Sequence, residues 1–265
     1  MIRSKKYITG NYMEMEVFTL PRGTRPISRQ KRIKETAPAQ KRLNDKRARR
    51  YLVRITHLNF SKNDLALDLT FDNQHLPKDR EGVQKEVRNY LKRLQRVRKA
   101  NNLPEMKYIY VISNRDQEGR EARWHVHMFL SGMDRDLAEA KWGKGMANAS
   151  HLQFTETGVE GRVIYMMRQA AAGERRWSGS QNLQKPEAIV SDHKISKAQQ
   201  DHMALAPDDR AYIEKIINGR KKREWILTDC SVECDGRQVT MDGIPTDNGF
   251  GGVSLLIRAR RMTSE

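Results

Sequence analysis

The sequence predicts an α+β fold in which an antiparallel sheet carries helices on one face, and three patterns favour it. Residues 64–72 alternate apolar and polar side chains, as a strand with one buried face does. Residues 107–112 and 123–130 are apolar runs joined by a polar loop, which indicates a hairpin. Residues 80–99 repeat apolar side chains at helical spacing. Strands and helices therefore follow one another as in an α+β domain.

The first 60 residues of the chain are rich in Lys and Arg. Residues 1–38 show no sustained period, which predicts an irregular basic arm. Residues 39–60 space a few apolar side chains among many cations and predict a helix with a strongly basic face. We expect either segment to contact a polyanion or to remain solvated.

The helix predicted at residues 80–99 has a basic face of its own. Its cations, opposite the apolar stripe, are Lys85, Arg88, Lys92, Arg96 and Lys99. Such a face is usually solvated, and contact with DNA is the alternative.

The domain continues with a short helix at residues 134–142, a strand at 151–154 and a helix at 159–171. Two helices then follow at residues 196–204 and 207–219, and three strands at residues 224–232, 237–241 and 253–260. These patterns predict a basic arm at 1–38, an α+β domain at 39–190 and an α/β extension at 191–265. Whether the extension is a second domain or packs on the first sheet stays open.

The composition points to a polyanionic partner. The 265 residues carry a net charge of +17, and a surplus of this size is typical of proteins that neutralise phosphates. A ribosome-associated or merely basic soluble protein is the alternative. No apolar run approaches the roughly 20 residues that a membrane span needs, and no secretory signal is visible. We therefore expect a cytoplasmic protein in which Cys230 and Cys234 stay reduced.

Two histidines mark a candidate metal site in the second strand of the hairpin. His125 and His127 are two residues apart, so in a strand they share one face. Neutral imidazole is a common ligand of divalent metals, and two imidazoles leave most of the coordination sphere open. A strand that carries two histidines by chance is the alternative.

A tyrosine between two arginines marks a second candidate site on the helix at residues 159–171. Tyr165 lies on the far side of the apolar stripe, with Arg162 one turn before it and Arg168 one turn after it. We expect the hydroxyl to point outward, near two guanidinium groups. Cations favour a phenolate, and guanidinium binds phosphate, so tyrosine attack on a phosphodiester is a reasonable chemistry.

Residues 43–187 resemble the HUH superfamily of single-strand endonucleases, in particular the rolling-circle replication initiators of bacterial plasmids and phages. The motifs that carry the resemblance are Asn59-Phe60 with Asp64, Leu69-Thr70-Phe71, Arg123-Trp124-His125-Val126-His127, residues 137–145 ending in Trp142-Gly143-Lys144-Gly145, Tyr165 with Arg168, and residues 176–186. The resemblance implies the HUH endonuclease fold. It also implies that the protein nicks single-stranded origin DNA and later transfers the strand.

In the resemblance, Tyr165 is the nucleophile that forms a 5′-phosphotyrosine, and Arg168 supplies a positive charge beside it. His125 and His127 would bind Mg²⁺ or Mn²⁺. The family's glutamate ligand is absent, and the position holds Asn114; other candidate third ligands are Asp68, Asp116 and Glu118. The residues expected to contact DNA are Arg162, Arg176, Trp177 and Lys185, although Trp177 fits a packing role equally well.

The expected partners are single-stranded and origin DNA together with the host's helicase and polymerase, because no phosphate-binding loop of a fused helicase is present. No small-molecule substrate and no membrane is expected. One alternative is a non-catalytic DNA-binding protein for copy control or partition. A transposase or relaxase of the same superfamily is the other.

Overall fold

A computed structural model of the chain describes residues 1–20, 38–116, 118–168, 176–219, 224–234, 237–239 and 253–262. The chain divides into two compact units. One is the continuous unit Ile55–Lys185, and the other combines Met1–Arg54 with Pro186–Glu265. The α+β domain was predicted at residues 39–190. The continuous unit begins later, at Ile55, and ends close to the predicted boundary, at Lys185.

The elements of the described residues are eleven strands and six helices. The strands are β1 (Ile2–Thr9), β2 (Tyr12–Thr19), β3 (Leu65–Thr70), β4 (Tyr108–Arg115), β5 (Glu121–Leu130), β6 (Ala147–His151), β7 (Ser178–Gly179), β8 (Ile189–Ser191), β9 (Trp225–Cys234), β10 (Arg237–Val239) and β11 (Ser254–Arg261). The helices are α1 (Pro38–Asn59), α2 (Arg80–Ala100), α3 (Arg135–Ala140), α4 (Glu160–Arg168), α5 (Lys197–Leu205) and α6 (Arg210–Asn218). The α+β class predicted from the sequence is confirmed.

The continuous unit is built on a five-stranded antiparallel sheet in the order β6-β3-β5-β4-β7. The histidine strand β5 is therefore central, with β3 on one side and β4 on the other. The edge strand β6 begins at Ala147, earlier than the strand expected at residues 151–154.

Helix α2 covers one face of this sheet. Asp79 caps its first turn by accepting a hydrogen bond from the Gly82 amide at 2.8 Å. The apolar stripe of α2 is buried in one core cluster with strand residues such as Leu67 and Val126. The members of this stripe are Val83, Val87, Tyr90, Leu91 and Leu94. The sheet face that contains Leu67 and Val126 is thus closed by α2.

Helix α4 lies on the opposite face. Asp68 and His127 are paired across β3 and β5, and each is one residue away from a side chain of the α2 face. Arg162 of α4 bonds to Asp68, so α4 covers the face that α2 leaves open. The prediction of helices on one face only was wrong, because the histidine face is also covered.

Trp142 and Gly145 fix the connection between α3 and β6. Trp142 is 1% exposed, and its indole Nε1–H donates to the carbonyl of Thr70 at 2.7 Å. Gly145 has φ 146°, and a Cβ there would lie 2.6 Å from the amide nitrogen of Asp72. Trp142 and Gly145, the first and last residues of the Trp-Gly-Lys-Gly motif, therefore hold the chain against the end of β3.

The second unit contains a six-stranded antiparallel sheet in the order β10-β9-β11-β2-β1-β8. Strands β1 and β2 form a hairpin through Gly10 and Asn11, and β11 pairs with β2. The irregular arm predicted for residues 1–38 was wrong for residues 2–19, and residues 21–37 lie outside the described part. The C-terminal strands thus join the N-terminal hairpin in one sheet.

One face of this sheet packs against α5 and α6. Met15, Cys230 and Ile257 are buried in the same core as Met203 of α5 and Ile213 of α6. Cys230 is a free thiol, and burial raises its pKa to about 12. None of the helices that the structure describes is both long and apolar enough to cross a lipid bilayer.

Part of the basic face predicted for α1 forms ion pairs within this unit. Lys46 pairs with Glu233. Arg54 pairs with Glu14 and, at 2.6 Å, with Glu16. Arg50 also lies 3.6 Å from Glu16. These cations follow one another at four-residue intervals, so this stripe of α1 neutralises carboxylates of the protein itself.

Candidate active site

The register of the central strands determines which groups surround the two histidines. His127 lies opposite Asp68 of β3 and Val111 of β4. His125 lies opposite Thr70 and Ser113. Both imidazoles therefore lie on one face of the sheet, as the sequence predicts, with ring centroids 5.0 Å apart.

His127 is held by a carboxylate that is itself held by an arginine. Its Nδ1 lies 2.5 Å from Oδ1 of Asp68, and the His127 side chain is only 5% exposed. Arg162 donates to both oxygens of Asp68 at 2.7 Å. Burial disfavours the Asp68 carboxylate, but the hydrogen bonds and charges of His127 and Arg162 outweigh it and lower its pKa to about 2. Asp68 is therefore an ionised carboxylate that accepts a hydrogen bond from the Nδ1–H group of His127.

His125 is oriented by its own strand, since its Nδ1 lies 2.8 Å from the backbone carbonyl of Arg123. A carbonyl and a carboxylate only accept, so Nδ1 of both rings carries the proton in these bonds. The lone pair of each neutral ring is then on Nε2, which is the arrangement found in histidines that bind metals.

Helix α4 brings Tyr165 to the histidines. Val163, Met166 and Met167 are buried on its apolar side. The ring of Tyr165 packs edge-on against that of His127, with centroids 5.2 Å apart. The guanidinium carbon of Arg162 lies 5.2 Å from the Tyr165 centroid. The expected outward tyrosine is thus partly buried over the histidine face.

The N-terminus of α4 is anchored by His57, which we did not identify from the sequence. Nε2 of His57 accepts a hydrogen bond from the Val159 amide at 3.2 Å. Gly158, at φ 71°, passes so close that a Cβ there would collide with the His57 ring. Burial lowers the pKa of His57 to about 4, so the ring stays neutral and keeps its acceptor.

The third metal ligand considered from the sequence is not identified by the geometry. Both His127 and Arg162 are hydrogen-bonded to Asp68, so this carboxylate supports a candidate ligand and is not positioned as a ligand itself. Asp116 and Glu118 both pair with Arg120 in the hairpin loop.

Asn114 follows Ser113 where the register with β5 shifts, and its side chain makes no hydrogen bond to a described residue. Among the described residues, no group of three or more His, Cys, Asp or Glu side chains is arranged to hold a metal. The two imidazoles with their hydrogen-bonded Nδ1 atoms fit a divalent metal.

The predicted DNA-contact residues have different surroundings. Lys185 is exposed, and Arg176 is partly buried. Trp177 is partly buried, and its Cζ3 atom lies 3.4 Å from where a Cβ at Gly179 would be. Arg168 ends α4, and its side chain lies outside the described part of the structure.

Asn59, one of the motif residues, fixes the segment that leads to Lys185. Its amide nitrogen donates to the Gln184 carbonyl at 2.8 Å, and its oxygen accepts from the Gln184 amide at 2.8 Å. Lys107 also donates to this oxygen at 3.1 Å. Asn59 therefore has a structural role in this unit.

Comparisons of the chain with known protein families, curated proteins and solved structures find no match. The arrangement of Tyr165, His125, His127, Asp68 and Arg162 is thus the basis on which a function has to be argued.

Proposed function

We propose that the protein is a metal-dependent endonuclease that nicks single-stranded DNA through Tyr165 and later transfers the strand, as a rolling-circle replication initiator does. The observation that carries the proposal is the 5.2 Å separation of the Tyr165 and His127 rings. Two imidazoles, a phenol and a guanidinium share one sheet face in a chain of net charge +17. This set suits a phosphodiester substrate.

In the proposed reaction, the phenol oxygen of Tyr165 loses its proton and attacks the phosphorus of a DNA phosphodiester. The P–O3′ bond breaks, and the departing 3′ oxygen takes up a proton. The 5′ phosphate stays on Tyr165, and attack by a 3′-hydroxyl reverses the step in strand transfer. Arg162 supports this chemistry by adding positive charge next to the ring and by orienting Asp68.

His125 and His127 would hold Mg²⁺ or Mn²⁺ through their Nε2 atoms. Such an ion neutralises the charge that develops on a phosphate during displacement. Asp68 keeps the His127 ring in the required tautomer, and the Arg123 carbonyl does the same for His125.

The test uses a pool of single-stranded DNA of randomised sequence, which includes short recognition sequences, with a fluorophore at the 3′ end, because the 5′-phosphotyrosine retains the 3′ part of the strand. With Mn²⁺, we expect a fluorescent protein band that survives denaturing electrophoresis. Tyr165→Phe should abolish this band. His127→Ala and His125→Ala should each lower its rate of formation by about a hundredfold or more.

Matched controls are available in the same unit. Tyr110 lies on the α2 side of the sheet, and Tyr110→Phe should form the band normally. His75→Ala removes a partly exposed imidazole that pairs with Asp72 and should also have no effect. A band that persists in Tyr165→Phe contradicts the nucleophile assignment. DNA binding by the wild type without any band, whichever metal is added, supports the non-catalytic alternative.

The broader role follows from the same proposal. A nick that leaves a 3′-hydroxyl provides a primer, so the host's polymerase and helicase would extend and unwind the strand. The protein would act in the cytoplasm, on origin DNA of a plasmid or phage.

A further inference from the structure

Helix α2 exposes five cations in one line along its outer face. They are Lys85, Arg88, Lys92, Arg96 and Lys99, hereafter the α2 stripe. Their spacing of three or four residues keeps them on the same side of the helix. At a rise of about 1.5 Å per residue, the stripe is about 21 Å long.

The described part of the fold makes no use of these five charges. None of the five side chains forms an ion pair or hydrogen bond with a residue that the structure describes. Other cations of α2 do have structural roles. Arg98 is 4% exposed and donates to the carbonyls of Pro104, Ser131 and Gly132, and Arg93 donates to two carbonyls after α3. The α2 stripe therefore differs from the arginines that support the fold.

The α2 stripe also differs from the basic stripe of α1. There, Lys46, Arg50 and Arg54 lie beside Glu233, Glu14 and Glu16. Among the described residues no carboxylate forms an ion pair with the α2 stripe, and all five of its side chains are exposed. Like charges at these spacings repel one another and favour binding of a linear polyanion.

The position of the α2 stripe sets it apart from the candidate active site. Helix α2 covers the sheet face that contains Leu67 and Val126, whereas Tyr165 and His127 lie on the opposite face. A DNA segment bound along α2 is consequently a different segment from the one at Tyr165.

The exposed residues of α2 favour a duplex over a single strand. Besides the five cations, the exposed positions are Glu81, Gln95 and Ala100, and none of them is aromatic. Proteins that hold single strands stack bases on aromatic side chains. A straight row of cations without such side chains suits the regular phosphate backbone of a duplex.

We propose that the α2 stripe binds the phosphate backbone of double-stranded DNA without reading its sequence. The proposal rests on the proposed function only in taking DNA as the partner. It adds a second DNA surface that would hold the duplex flanking the single-stranded substrate.

The test measures binding of the full-length protein to a labelled mixed-sequence duplex over a series of KCl concentrations. The variant combines Lys85→Gln, Lys92→Gln and Lys99→Gln, which conserve helix propensity. The slope of log K against log salt is negative, and each lost phosphate contact makes it less steep by about 0.9. We therefore expect the slope of the variant to be less steep by about 2 to 3.

The matched control combines Lys62→Gln, Lys194→Gln and Lys215→Gln. These three lysines are exposed and lie outside the α2 stripe. The control removes the same charge and should retain the wild-type slope. An α2 variant with the wild-type slope, or a control with an equal decrease, overturns the proposal.

A second readout separates this proposal from the proposed function. The α2 variant should form the covalent band on single-stranded DNA at the wild-type rate, and Tyr165→Phe should keep the wild-type salt slope on the duplex. If no protein forms the band while the α2 variant still loses slope, the nickase proposal fails and the duplex surface stands. If the α2 variant loses as much affinity for single strands as it loses for duplexes, each relative to the wild type, the proposed preference of the α2 stripe for a duplex is overturned.

Discussion

Asp68 is the residue on which the candidate site depends most, although in our proposal it is neither the nucleophile nor a metal ligand. It accepts from His127 and from Arg162, and it thereby connects the strand that carries the histidines with the helix that carries Tyr165. A carboxylate behind a metal-binding histidine increases the basicity of that imidazole and fixes its tautomer.

Asp68→Asn should weaken Mn²⁺ binding by about 10- to 100-fold, because an amide orients His127 without supplying negative charge. Calorimetric titration of the protein with Mn²⁺ measures the change. Asp72→Asn makes the same substitution at an exposed aspartate that pairs with His75, and it should bind Mn²⁺ as the wild type does. Equal affinity in Asp68→Asn and the wild type contradicts this role.

The local sequence pattern was sufficient to predict how the two histidines are placed. It was insufficient to predict which side chains bond to His127. Alternation along a strand places His125 and His127 on one face without further information. The Asp68 carboxylate reaches His127 because β3 and β5 pair in one particular register, and Arg162 reaches Asp68 only after α4 has docked. Register and docking depend on contacts that are distant in sequence, so Asp68 was considered only as a ligand.

Helix α4 depends on His57 for the position of its first turn. The bond from Val159 to Nε2 requires a neutral ring, and the pKa of His57 is lowered from 6.5 to about 4 in the folded protein. In the unfolded chain the ring takes up a proton below about pH 6.5, while the folded protein keeps it neutral until about pH 4. The free energy of unfolding therefore falls as the pH decreases through this interval.

His57→Leu removes both this contribution and the hydrogen-bond acceptor. Denaturant unfolding between pH 4 and pH 7 should show a weaker pH dependence, by up to one proton at the steepest point. The covalent band should form several-fold more slowly, since the first turn of α4 loses its acceptor and Tyr165 is less well positioned. A variant with the wild-type pH dependence contradicts the role assigned to His57.

Most helices and strands follow from their own sequence period, but two elements show where such reasoning fails. The Gly10-Asn11 pair is a hairpin signal, but the many Lys and Arg residues around it favoured the prediction of an irregular basic arm. The cations of α1 could pair with DNA phosphates or with carboxylates of the protein itself, and the sequence does not distinguish the two. In the structure, Arg54 pairs with Glu14 and Glu16. Charge alone does not identify its partner.

The unit formed by residues 1–54 and 186–265 unites both ends of the chain in one sheet. Strand β11 lies between β9 and β2, and Ile257 of β11 is fully buried beside Met15 in the resulting core. No local pattern predicts such pairing, because the strands are more than 200 residues apart in the sequence. Because these strands pair in one sheet, the stability of the N-terminal strands should nevertheless depend on the C-terminal strands.

Ile257→Ala deletes buried methyl groups and should lower the stability of this unit by about 2 to 5 kcal/mol. Because β2 pairs with β11, hydrogen exchange should accelerate in β1 and β2 as well as in β9 and β11. Leu67→Ala is the matched core deletion in the other unit and should accelerate exchange in β3, β5 and β6. If β1 and β2 keep their full protection in Ile257→Ala, the terminal hairpin is stable without the C-terminal strands. The shared sheet would then join two segments that unfold separately.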